Sequence, residues 1–154
     1  MVLELLREGL KKRTARQRDR RFLEATMAAS ALVSFADGQV CFNERMRLDQ
    51  ILNHLHQLRA FDVHEAINHF NKVIEDLKAE PEEGHARAME SVEAFAGDAA
   101  SARLMVRAAC HLCVADGVFT EGEQEQIAEL CVLLDVSPED CELDEIIRAS
   151  KEEA

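Results

Sequence analysis

Apolar residues recur at helical spacing along most of the chain. Leu3, Leu6 and Leu10, with Leu5 beside them, predict a short amphipathic helix, followed by a basic and less periodic connection. Phe22, Leu23, Met27, Ala28, Ala31, Leu32 and Phe35 predict an apolar helix over about residues 21–37, with Gly38 placed to cap its end. Met46, Leu48, Ile51, Leu52 and Leu55 mark a helix over about 42–58. Asp62 followed by Glu65 has the spacing of a capping box. The helix it opens runs to about Lys78, with Ile67, Phe70, Val73, Ile74 and Leu77 on one face.

Glu80-Pro81-Glu82-Glu83-Gly84 is the clearest break, because proline cannot extend the helix before it. A helix at about 85–96 carries Ala88, Met89, Val92 and Phe95. Asp98 is placed to cap a strongly apolar helix over about 99–115. Thr120 and Glu123 form a capping box opening about 121–134. Ser137 and Pro138 predict a last short helix from that point. No stretch alternates with period two. The pattern predicts an all-α, compact bundle of seven or eight helices built from two similar halves, about 21–80 and 85–150, preceded by an arm over 1–20.

Composition narrows the picture. The chain has 154 residues, enough for one domain with a real core. It has no Trp or Tyr and only 2 Pro, which disfavours strand-rich folds. No apolar run approaches the ~20 residues of a membrane span, and the first residues lack the basic lead and apolar run of a signal peptide. Five cysteines, an odd number within helical patterns, fit a reducing cytoplasm better than a disulfide framework.

The net charge of −12 conceals an asymmetry: residues 1–21 carry about +5 and residues 22–154 carry −17. An acidic body repels nucleic acid and attracts cations. The basic arm (Lys11, Lys12, Arg13, Arg16, Arg18, Arg20, Arg21) is either a solvated segment or a contact for an acidic partner, an anionic membrane or the acidic body itself.

The most specific feature is a repeated turn. Phe35-Ala36-Asp37-Gly38 with Glu44 recurs 79 residues later as Val114-Ala115-Asp116-Gly117 with Glu123. At the same offset Leu48 matches Ile127, Ile51 matches Leu130 and Leu55 matches Leu134. The spacing copies the back half of an EF-hand loop, with each glutamate at the bidentate position. The front half excludes that motif: Val33, Phe35, Leu112 and Val114 would stand where calcium needs oxygen donors. The glycines read as helix caps and the glutamates as N-terminal capping residues. Asp37 and Asp116 fit capping less well, because each faces the negative end of a helix dipole. Their recurrence suggests another partner: a turn N–H, a basic residue or a cation.

With Phe70-Asn71-Lys72 between the two copies, the chain resembles the tellurite-resistance TerB family from about Arg20 to Val136. The resemblance implies a helical bundle of two similar halves, found in bacterial tellurite and stress responses, often near the inner face of the membrane. It also implies a metal site, and directs attention to Asp37, Glu44, Asp116 and Glu123. Related domains occur fused to other modules, so the fold does not fix one pathway.

Other chemistry is sparse. Cys110 and Cys113 lack a second pair at zinc-site spacing and read as core residues. His54, His56, His64 and His69 do not share the i, i+4 spacing of helical ligand pairs. No phosphate loop, zinc-protease motif or serine elbow is present, and no small-molecule substrate is evident. The expectation is a cytoplasmic, non-enzymatic scaffold or sensor, with protein partners and peripheral contact with the inner membrane through the arm. A carboxylate ligand set favours Ca²⁺, Mg²⁺ or Mn²⁺ as cofactor. The alternative is a metal-free protein–protein interaction module recruited to a membrane-associated complex.

Overall fold

Ten consecutive buried residues, 25–34, form the centre of the molecule. They belong to α1 (Val2–Ser34), which packs against α2 (Val63–Ala79), α3 (Pro81–Glu93), α4 (Ala99–Val114) and α5 (Glu121–Leu134). α6 (Leu143–Glu153) packs on α4. This computed structural model describes the backbone of residues 2–36, 63–114 and 120–153, and their side chains except those of 8–19, 63, 112–114 and 149–153. The described residues form six helices and no strand, an all-α fold. The predicted helix over 42–58 lies outside the described residues.

A helix buried on every side needs no amphipathic stripe. It does need small residues, and α1 supplies Ala25, Ala28, Ala29 and Ala31, all buried. Its buried hydroxyls are satisfied locally: Thr26 donates to the Phe22 carbonyl and Ser30 to the Thr26 carbonyl, each at 2.8 Å. At the near end of the core, the Phe22 and Phe95 rings meet edge-on, with centroids 5.5 Å apart. The predicted face of α2 is the one that packs, with Phe70, Val73, Ile74 and Leu77 buried and Ile67 partly so.

Three boundaries differ from the sequence expectation. The arm and the first core helix are one continuous α1 rather than two helices with a connection. The basic stretch consists largely of good helix formers with no Pro or Gly from residue 10 to 34, so helix continues without apolar periodicity. The break at Pro81 is a single residue, Glu80, because proline opens α3 in its first turn. Gly84 therefore lies inside α3, where a Cβ would stand 2.7 Å from the Asp76 carbonyl oxygen of α2. Lastly, α6 begins at Leu143 rather than near Ser137. Ser137 caps only an isolated turn, accepting the Asp140 N–H at 3.1 Å, and Glu142 then leaves helical geometry at φ 55°.

Candidate functional site

Thr120 is extended, at φ −73° and ψ 161°, so its side chain turns back over the first turn of α5. Its Oγ1 accepts the Glu123 N–H at 3.2 Å. Glu123 reciprocates: Oε1 accepts the Thr120 N–H at 3.3 Å and the Thr120 hydroxyl at 3.0 Å. This is the capping box expected from the sequence, and it holds the carboxylate at the positive end of the helix dipole.

The second carboxylate oxygen is different. Glu123 is only 5% exposed, and its Oε2 is buried without a hydrogen-bond partner. Ser34 Oγ and Asn71 Oδ1 share that condition among the described residues, but neither carries a charge. An unmet buried acceptor costs about 1–3 kcal/mol, and more on a charged group. Capping explains Oε1 and leaves Oε2 unexplained.

One buried thiol, that of Cys110, lies near enough to Glu123 to feel its charge. Cys110 of α4 is buried, as core packing predicted, and so are the free cysteines Cys131 of α5 and Cys141; the side chain of Cys113 lies outside those described. Burial pushes the Cys110 thiol up to about 12, with the neighbouring Cys131, Cys141 and Glu123 adding to the effect. Burial likewise raises Cys131 to about 12, and Cys141 is raised by the same cause. These are protonated, poorly nucleophilic groups.

One turn along α5, Gln126 is also buried and donates to Glu129 Oε2 at 3.2 Å. His85 of α3 stands 3.7 Å from Glu129 Oε1. Leu32, Phe35, Leu77, Pro81, His85 and Gln126 line a groove of about 530 Å³ there. Sequence reasoning did not single out Gln126, although its place three residues after Glu123 puts it on the same helix face. Of the histidines, His64 is exposed and His69 half-buried, its pKa lowered by desolvation; His54 and His56 lie outside the described residues.

Of the four predicted ligands, Asp37, Glu44 and Asp116 lie outside the described residues, and only Glu123 is placed. Among the described residues no group of three or more His, Cys, Asp or Glu could hold a metal ion. What Glu123 offers is one carboxylate oxygen held by the capping box and a second, buried one with no hydrogen-bond partner.

The helices around this site match a known family. The family model "Tellurite resistance protein TerB" covers residues 23–145, from the buried part of α1 into α6. The chain is 27% identical over 101 residues to "Tellurium resistance protein TerB" from Alcaligenes sp., an alignment covering 66% of this chain and 83% of that protein. No solved structure gives a significant match. With most of its length inside the family model, the chain belongs to the TerB family of tellurite resistance proteins.

Proposed function

We propose that this chain is a non-enzymatic, divalent-cation-binding protein of tellurite resistance, acting as a scaffold or sensor. Asp37, Glu44, Asp116 and Glu123 are the ligands, and the cation is Ca²⁺, Mg²⁺ or Mn²⁺. The observation that supports this reading is the buried, unpartnered Oε2 of Glu123. Thr120 engages only Oε1, from its backbone and its hydroxyl, and so fixes the carboxylate while leaving Oε2 open. A cation, when bound, supplies positive charge to a part of the protein whose body carries −17. The sequence repeat makes Glu44 the counterpart of Glu123, with Asp37 and Asp116 each seven residues before its glutamate.

Calorimetric titration is the test. Wild type is expected to bind at least one of the three cations, and Asp37→Ala combined with Asp116→Ala to lose that binding while keeping its helical circular dichroism. Wild-type protein that takes up none of them at millimolar concentration would leave the metal-free interaction module as the better reading.

A further inference from the structure

The first turns of α1 are apolar and uncovered. Val2, Leu3, Leu5 and Leu6 are between 59% and 80% exposed. A single exposed leucine carries no message. Four large apolar side chains within five positions do, because at 100° per residue they fall within an arc of about 160° and make one continuous apolar face that is left exposed. Arg7, Lys11, Lys12, Arg13, Arg16, Arg18, Arg20 and Arg21 follow, against only Glu8 and Asp19. Among the described residues, burial begins at Phe22.

The length of the helix decides whether the acidic body spoils this arrangement. From Val2 to Phe22 the continuous helix spans about 30 Å at 1.5 Å per residue. Screening at physiological salt acts over about 8 Å. Along the helix, the core that begins at Phe22 is therefore several screening lengths from the apolar tip, whereas the basic residues begin beside it. Apolar side chains backed by a run of bases match the chemistry of an anionic phospholipid surface, with hydrocarbon for the leucines and phosphates for the arginines and lysines. No helix among the described residues is long and apolar enough to cross a membrane, so the contact is peripheral.

We propose that Val2, Leu3, Leu5 and Leu6 of α1 insert into the surface of an anionic phospholipid bilayer, with Glu4 on the opposite side of the helix, and that the basic residues among 7–21 anchor the helix electrostatically, with the acidic body held off the surface. The acids of the cation site take no part, so this contact forms in chelator as well as in divalent salt.

The full chain is sedimented, in chelator, with vesicles of phosphatidylglycerol and phosphatidylcholine in equal parts, or of phosphatidylcholine alone. The expected result is at least about tenfold stronger partition onto the anionic vesicles, lost in about 0.5 M NaCl. Leu3→Glu with Leu6→Glu, and separately Lys11→Glu with Lys12→Glu, are each expected to weaken partition by about tenfold or more. Circular dichroism and melting of both variants should match wild type, since the leucines lie outside the core. Equal binding to both vesicle types, no binding to either, or full binding by the leucine variant would each overturn the proposal. So would a wild-type dimer that the leucine variant abolishes, with no vesicle binding, because the tip would then be covered by a second copy.

Discussion

Glu123→Gln separates the two duties of one carboxylate. The glutamine carbonyl can take the place of Oε1 and keep the bonds from the Thr120 N–H and hydroxyl, now 3.3 and 3.0 Å long. Its amide nitrogen then replaces Oε2, which has no partner. In chelator two effects oppose each other. Removing a buried, unmet charge relieves about 1–3 kcal/mol. Leaving an amide N–H unmet costs a similar amount, and losing the charge–dipole attraction costs about 0.3–1 kcal/mol. The variant should therefore melt within about 1 kcal/mol of wild type, or roughly 2–4 °C for a chain of this size. With divalent cation at a hundredfold excess over its dissociation constant, wild type gains about 2.7 kcal/mol. That is a rise of roughly 5–10 °C, and the variant should show little of it. Calorimetric melting of both proteins, with chelator and then with Ca²⁺, Mg²⁺ or Mn²⁺, reads all four values. Equal rises in the two proteins, or none in wild type, would refute the assignment of Oε2 as a ligand.

Other predictions follow from packing and titration. Gly84→Ala should destabilise the fold by about 1–3 kcal/mol, because the new Cβ would meet the Asp76 carbonyl oxygen at 2.7 Å; a stabilisation of about 1 kcal/mol in urea melts, as helix propensity alone would give, would contradict this crossing of α2 and α3. The Cys110 and Cys131 thiols, held near 12 against an ordinary 9.0, should resist alkylation at neutral pH in the native state and react once the chain is unfolded. Between those values the unfolded chain has released protons that the native state retains, so stability should fall as pH rises from about 9 towards 12. Cys110→Ala with Cys131→Ala should flatten that fall, and an unchanged pH profile would place its cause elsewhere.

What the sequence made legible were features whose physics is local. The α5 capping box needs only Thr120 and Glu123 three residues apart, and it forms as read. Asp98 caps as expected: Oδ1 accepts the Ser101 N–H at 3.2 Å and Oδ2 its hydroxyl at 2.8 Å. The apolar face of α2 carries a clean 3.6-residue period, and that face is buried. What was not legible depends on neighbours distant in the chain. Apolar periodicity marks a packed helix, so it missed the basic stretch of α1, which is helical through propensity. Proline and glycine at 81 and 84 read as a break, yet one opens α3 and the other admits the close crossing of α2. Ser137 had the residue type of a cap but no continuing helix, because Glu142 turns left-handed before Leu143. At the candidate site, spacing gave Glu123 its capping role. The burial that strands Oε2 depends on how α5 docks into the bundle, which Thr120-Glu121-Gly122-Glu123, a polar turn by composition, does not reveal.

The central claim is that Glu123 Oε2 is a cation ligand. Anomalous diffraction from crystals grown with Mn²⁺ tests it most directly. The expected result is an anomalous peak within about 2.0–2.6 Å of that oxygen, with oxygens of Asp116, Asp37 or Glu44 completing the shell. A crystal in which Oε2 is hydrogen-bonded to a protein donor, with manganese bound elsewhere or not at all, would contradict it.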